Sequence, residues 1–542
     1  MTVSEYIVDY IIRQGICDVF CYPGSTLGFF LEALRKRRGE IAAHLNYHEQ
    51  ASAYAACGYS LAAEKLAVCL IMQGPGATNA VSGIADAWLD SIPVIFIAAQ
   101  VHTSQFKGES KIRQIGVQEI DTIAIVKSIT KYAKTVLKAD DAPYELERAW
   151  QIAVSGRKGP VLLDIPVDIS RTEITERGVE KAKEAAVLRR YYDRFDAGVI
   201  EGAAREVVAA INAGARPLVI AGAGIRQANA VEEFKTFIDA AKTPFVTSLP
   251  AQDLYTESPY YEGFIGNLAS GSAGGGAVEM TNRADVVVTF GSRLSNRTIA
   301  EGNRDFAPNA RLVRVDIDED ELTRNVKENE RHVVCDARLL LARLGAEKAG
   351  YNDFEGWRNV CEDIRLTGEH EAGSKIARPV ADFLGKLPQE AVCTCGSGRS
   401  KALLARALEL RERARVNRVL FTAGLGAMGF AFPAAIGAYH ATGKPVYCIT
   451  GDGCMQMNIQ ELNYIAHHNI PATIVVLNNH RLGQIAMFQD RNFSSNYFAS
   501  TEDSGYHAPD YKAIAGAYGV KYSNDLHENS GRPEIIDVEF DW

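Results

Sequence analysis

The stretch from Pro445 to His480 constrains the fold of this chain more than any other. It reads PVYCITGDGCMQMNIQELNYIAHHNIPATIVVLNNH. Residues 446–450 are an apolar run closed by glycine, the pattern of a buried strand. Asn458 followed three residues later by Glu461 has capping-box spacing and predicts a helix start there. Ile459, Leu462, Ile465 and Ala466 then recur at helical spacing, and Pro471 marks the exit. Residues 472–477 form a second apolar run. The whole is one βαβ unit, and ligands of parallel sheets bind at the loops that follow its strands.

Both of those loops carry oxygen donors. Asp452 stands between Gly451 and Gly453, and Asn479 follows 27 positions later, about what one crossover needs to return to the same sheet edge. A carboxylate and an amide oxygen suit Mg²⁺, which takes octahedral oxygen coordination completed by phosphate and water. Two glycines let a backbone approach a diphosphate with no Cβ in the way. The local reading is a metal–diphosphate site; GDG alone is equally compatible with an ordinary βα turn.

Strands alternate with helices along the rest of the chain, which predicts an α/β protein of three doubly wound parallel-sheet domains. The expected division is 1–166, a charged linker 167–197, a middle domain 198–340, a connector 341–376 and a last domain 377–542. Within it, Gly222-Ala223-Gly224 makes a glycine turn after a strand, and a glycine- and serine-rich loop spans 263–276. A length of 542 residues with 47% hydrophobic and 23% charged residues fits large cores. The net charge of −9 argues against a nucleic-acid or anionic-membrane surface. The longest apolar run, 92–99, is too short to span a bilayer. The ten cysteines are scattered without metal-site spacing, Glu5 and Asp9 lie in the first helical turns, and a reduced cytoplasmic location without a signal peptide is expected.

The segments GDGCMQMNIQEL, LNNHRLG, HEQASAYAACGY and GLGAMG together resemble the thiamine diphosphate (ThDP) enzymes, and among them the acetolactate synthase-like group. The resemblance covers nearly the whole chain. It implies a pyrimidine-binding, a central and a diphosphate-binding domain, with ThDP and Mg²⁺ as cofactors. Carried onto this chain, Asp452 and Asn479 hold the metal together with a backbone carbonyl near Arg481. Gly426, Gly451, Gly453 and Cys454 surround the diphosphate, and Met428 wedges between the cofactor's rings. Tyr22, Pro23, Gly24, Pro75 and Asn79 line the aminopyrimidine pocket. Glu49 hydrogen-bonds that ring and promotes loss of the thiazolium proton, and Gln100 lies near the reacting carbon. Gln118, Glu119 and Lys131 also stand in family-like segments. Taken alone, Glu49 reads as an acid favoured by a helix N-terminus.

The implied reaction is decarboxylation of pyruvate or a similar 2-oxo acid and transfer of the two-carbon unit to a carbonyl acceptor, a 2-oxo acid or a keto sugar. Simple decarboxylation or another lyase reaction is the alternative, as is a catalytically silent ThDP-fold binding subunit. Active sites are expected at a subunit interface, in a homodimer or homotetramer. Relatives often hold FAD in the central domain; Arg293 and Arg297 partly match that segment, and FAD stays open. Three departures from the family pattern stand out: Cys454 in place of a small hydroxyl residue, the loop 393–398, and an end at Trp542 where relatives continue into a tail. The run 111–121 is closer to a subgroup from surface-polysaccharide and branched-sugar pathways.

Overall fold

The computed structural model describes residues 1–266, 275–299, 306–346, 350–372, 377–410, 418–528 and 531–539. Their strands form three six-stranded sheets. The first holds β1 (Asp18–Cys21), β2 (Ala42–Leu45), β3 (Ala67–Ile71), β4 (Val94–Gln100), β5 (Tyr132–Thr135) and β6 (Val161–Pro166). The second holds β7 (Pro217–Ala221), β8 (Phe245–Ser248), β9 (Tyr261–Ile265), β10 (Val286–Phe290), β11 (Arg311–Asp316) and β12 (Arg331–Val334). The third holds β13 (Val392–Cys395), β14 (Arg418–Phe421), β15 (Val446–Gly451), β16 (Ala472–Asn478), β17 (Lys521–Ser523) and β18 (Glu534–Glu539). Every pairing is parallel. The central strands are apolar runs buried along their whole length, as helices on both faces of a parallel sheet require.

The strand order is β2-β1-β3-β4-β6-β5 in the first sheet and β14-β13-β15-β16-β18-β17 in the third, one and the same permutation. The middle sheet runs β12-β11-β10-β7-β8-β9, the order of dinucleotide-binding folds. The order reverses between β1 and β3, between β13 and β15, and between β7 and β10. Those three crevices are where loops diverge and ligands can enter.

The first and third sheets are joined by two crossed helices, Glu49–Ala63 and Ala431–Thr442. Their backbones touch. A Cβ on Gly58 would sit 2.1 Å from the Ala434 carbonyl oxygen, and one on Gly437 would sit 1.8 Å from that of Ala55. Beside this crossing, the Tyr464 hydroxyl lies 2.9 Å from both His44 Nδ1 and His440 Nε2, and His44 Nε2 lies 2.7 Å from Asp18.

Several sequence expectations need correction. No helix starts with a cap at Asn458: the chain enters a short helix directly at Asp452, passes through a 3₁₀ turn over Gln456–Asn458, and turns helical again at Glu461–His467. The Asn458 side chain makes no cap: its Nδ2 donates to the Gly429 carbonyl at 2.9 Å and its Oδ1 accepts from Gln460 Nε2 at 3.2 Å. Strands β9 and β12 were not expected; YEGFI contains a glycine and RHVV is short and half polar. The charged segment after Pro166 carries short helices at Val167–Ser170, Glu176–Lys181 and Val187–Tyr192. Residues 267–274 of the glycine-rich loop and Trp542 lie outside the described residues.

Candidate active site

Asp452 directly follows β15 at the crevice of the third sheet, and Asn479 follows β16, its neighbour in register, where Gly451 pairs with Leu477. Both side chains are buried. The Tyr506 hydroxyl donates to Asp452 Oδ2 at 3.0 Å, and the Tyr511 hydroxyl donates to the Asp452 carbonyl at 2.9 Å. Burial raises the Asp452 carboxyl above the ordinary range, against the opposing pull of Tyr506. The next turn is shaped by Asn478, whose Oδ1 accepts from the His480 amide at 3.2 Å. Arg481 bridges to Thr501, and its Nε lies 3.4 Å from the Asn479 carbonyl.

These residues fit a hard divalent cation with a phosphate. The donors are oxygens on adjacent strand ends. At Gly453 a Cβ would come within 2.8 Å of Leu482, 3.4 Å of the Tyr506 hydroxyl and 3.5 Å of the Met428 methyl, so any side chain would fill the space beside the clamp. The Cys454 thiol is buried and points to the Ser397 carbonyl at 3.5 Å. Burial also raises its pKa, which keeps it a neutral thiol.

In the first sheet, Glu49 opens a helix after β2, with His48 as its N-cap. It is 8% exposed and accepts from Asn79 Nδ2 at 3.0 Å. Gly74 has φ +62 and turns β3 into the helix Pro75–Leu89, so the chain needs glycine there. Gly76 faces Glu49: a Cβ would lie 3.0 Å from its Oε1. Across the crevice, Tyr22 and Pro23 are exposed and Gly24 abuts Met72, whose sulfur would be 1.8 Å from a Cβ. Gly24 and Gly76 thus meet on Met72, and Gly76 and Asn79 meet on Glu49. Among the described hydrogen bonds and ion pairs, none links Glu49 to Asp452 or Asn479.

The segment 424–429 leaves β14 with Gly426 at φ +67 and Gly429 at φ +82. It is held from beneath. The Thr422 hydroxyl accepts from the Gly426 and Ala427 amides at 3.1 and 3.2 Å and donates to Asp86. Asp90 accepts from the Ala423 and Gly424 amides, each at 2.7 Å. Lys401, 1% exposed, donates to the Thr422 carbonyl, and Ser397 donates to the Gly426 carbonyl at 2.6 Å. Met428 stands above this base, 37% exposed.

Comparison with known proteins matches the geometry. Residues 1–125 match the thiamine pyrophosphate enzyme N-terminal TPP binding domain, 204–344 the central domain and 396–533 the C-terminal TPP binding domain. The large subunit of acetolactate synthase isozyme 2 from Escherichia coli (strain K12) is 31% identical, over 100% of this chain and 96% of its own. This chain belongs to the acetolactate synthase-like ThDP enzymes. Acetolactate synthase 1 of Zea mays is 32% identical over 98% of this chain and 82% of its own. The large subunit from Lactococcus lactis is 30% identical over 96% and 87%.

Within this ThDP enzyme, other expected residues have structural partners. Gln100 is buried, its amide donating to the Ile120 carbonyl at 3.1 Å and to Asp164 at 3.3 Å. Lys131 is spent on the carbonyls of Ile152 and Ser155, and burial lowers its pKa to about 8. Glu119 accepts from the amides of Lys107, Ile115 and Gly116 and so closes the loop that carries Gln118. Sequence reasoning missed Tyr506, Tyr511, Asp86, Asp90 and Lys401, and read Glu461 only as part of a helix cap. The only signal for Asp86 and Asp90 was an i, i+4 acid pair at the end of a helix with no other charged residue. Glu461 is buried, and burial pushes its carboxyl up to about 7 against hydrogen bonds from Asn46 and Tyr47.

A cavity of about 760 Å³ lies at the crevice of the middle sheet, walled also by the first and third domains. Gly222 and Gly224 pack on Gly291 with no room for a Cβ. Arg226, Arg293 and Arg297 line the cavity, as does Asp316. No helix among the described residues is long and apolar enough to cross a membrane.

Proposed function

We propose that this enzyme is a ThDP- and Mg²⁺-dependent 2-oxo acid decarboxylase and carboligase, which passes a two-carbon unit from pyruvate to a 2-oxo acid or keto-sugar acceptor. The observation that carries the reading is the pairing of two half-sites on matching crevices: Asp452 with Asn479 on one, Glu49 with Asn79 on the other. The names of the relatives, all acetolactate synthases, support pyruvate as donor.

Asp452, Asn479 and a backbone carbonyl near Arg481 would hold the metal. Gly426, Gly451, Gly453 and Cys454 would surround the diphosphate, and Met428 would support the bent cofactor. Tyr22, Pro23, Gly24, Pro75 and Asn79 would receive the aminopyrimidine. When bound, ThDP supplies the carbon that attacks the 2-oxo acid and the electron sink that accepts the pair left by CO₂. Glu49, oriented by Asn79, holds and moves a proton at its carboxyl oxygens. Gln100 would act only after release from Asp164.

The two half-sites come from different chains of a homodimer in this proposal. Exposed Leu425 and Met428 beside one half-site, and Tyr22 beside the other, give a second chain apolar surface to cover. The domain division of 1–166, 198–340 and 377–542 is part of the same proposal. FAD is the candidate occupant of the central cavity, where Arg293 and Arg297 suit phosphates while Arg226 is held by Glu64 and Asp253; visible flavin absorbance of the purified protein tests it. The function is tested by incubating the enzyme with ThDP, Mg²⁺ and pyruvate, with and without acceptors, and following CO₂ and products. Ligation products support the proposal; an aldehyde alone selects the lyase reading, and no CO₂ from any donor removes both.

A further inference from the structure

Glu49 is only as well placed as the turn that presents it, and that turn is gripped by the other domain. Strand β2 ends at Leu45, and three residues, Asn46, Tyr47 and His48, lead to Glu49. The Glu461 carboxylate spans two of them: Oε2 accepts from Asn46 Nδ2 at 3.0 Å and Oε1 accepts from the Tyr47 backbone amide at 2.8 Å. Glu461 is fully buried, so its grip is shielded from water. Two further bonds reinforce it. Asn458 donates to Gln50 Oε1 at 3.3 Å, and Asn463 donates to the Tyr47 hydroxyl at 2.6 Å. All three grips fall on residues 458–463, which begin six positions after Asp452.

We propose that Glu461 is a positioning residue for Glu49, tying the turn that presents Glu49 in the first domain to the segment that leaves the Asp452 clamp in the third. This rests on the proposed role of Glu49 as the group that moves the proton. If the half-sites of one chain serve two different active sites, Glu461 also connects the metal clamp of one site to the glutamate of the other. A carboxylate suits this place because it offers acceptors to two donors at once. Removing it would leave the buried Asn46 amide and the Tyr47 N–H without these acceptors, and the turn would relax to satisfy them. The Asn46 Oδ1 has no hydrogen-bond partner, so its amide can rotate to meet a glutamine amide at position 461.

The test compares Glu461→Ala and Glu461→Gln with wild type at about pH 8, where the Glu461 carboxylate carries its charge. Hydrogen exchange of apoprotein peptides covering 44–52 reads the tether directly. In the alanine variant those amides are expected to exchange at least about tenfold faster, the size of one lost hydrogen bond to a charged acceptor. The other strands of the first sheet keep their rates. The kcat for CO₂ release falls while the KM for ThDP stays within about twofold, since the metal clamp is untouched. The glutamine variant restores both readouts. Should the alanine variant not fold, Glu461→Asp, which withdraws the acceptors by one methylene, carries the same expectations. Unchanged exchange over 44–52, or a raised KM with unchanged kcat, overturns the proposal. A wild type that releases no CO₂ from any donor defeats the catalytic reading, and with it the word positioning, whatever the exchange shows.

Discussion

The first and third sheets have the same strand order and reverse at corresponding crevices, yet they carry different chemistry. The likeness extends to single residues. Asp164, fourth in β6, pairs with Ala98 of β4; Asp537, fourth in β18, pairs with Val476 of β16. Each aspartate is buried, each has an Oδ1 without a hydrogen-bond partner, and each is hydrogen-bonded by an amide side chain at the seventh position of the neighbouring strand, Gln100 or Asn478. The loops differ. After β2 and β3 the first sheet carries Glu49 and Asn79, a proton-handling pair. After β15 and β16 the third carries Asp452 and Asn479, a cation-binding pair. Topology therefore decides where a ligand enters, and a few loop residues decide what is done to it.

This comparison can be broken or sharpened by substitution. Asp452→Ala removes a proposed metal ligand; loss of an outer partner of a metal ligand costs up to about a hundredfold, and loss of the ligand should cost CO₂ release at least that. Saturation with excess Mg²⁺ should not restore it. Glu49→Gln should lower kcat by about 10²–10⁴-fold, the range for a positioned proton donor or acceptor, while calorimetric ThDP binding persists. Parallel loss of binding in both variants would erase the division of labour. Gly437→Val tests the joint between the sheets, where backbone meets backbone; overpacking of this kind costs about 1–3 kcal/mol, read as a lower denaturation midpoint.

A smaller effect separates the paired aspartates. Burial raises the Asp164 carboxyl from 3.8 to about 7. The folded state therefore holds this proton more tightly than the unfolded chain. Its contribution to stability is fully present below about pH 4 and is lost as pH rises through about 7. Asp164→Asn should flatten that slope in denaturation curves taken across this window. Cys454→Ser should change activity least, within about threefold, because both side chains are small and can donate to the Ser397 carbonyl.

Much of the fold was legible because fully buried parallel strands are nearly pure apolar runs. Val446–Gly451, Ala472–Asn478 and Pro217–Ala221 stand out between glycines and prolines. Strands β9 and β12 did not, since YEGFI and RHVV lack that signature. The loop residues Asp452, Asn479 and Glu49 were legible from their strand-end placement and from family resemblance. Their supports were not. Tyr506, Lys401, Asp90 and Glu461 act across 21 to 415 positions of sequence, and no local spacing marks such contacts. The Asn458 misreading has the same origin: a capping-box spacing was present, but the Glu461 carboxylate is taken by Asn46 and Tyr47 of the first domain and Asn458 Oδ1 by Gln460.

The central claim is that the Glu49 half-site of one chain completes the Asp452 half-site of another. Co-expressing Glu49→Gln and Asp452→Ala chains, each inactive alone, tests it most directly. A mixed dimer then has one site with both native residues and one with neither. Random pairing in a twofold-symmetric dimer predicts recovery of about a quarter of wild-type CO₂ release. If both groups instead served a site within one chain, every site in the mixture would lack one of them, and activity would stay at the level of the separate variants.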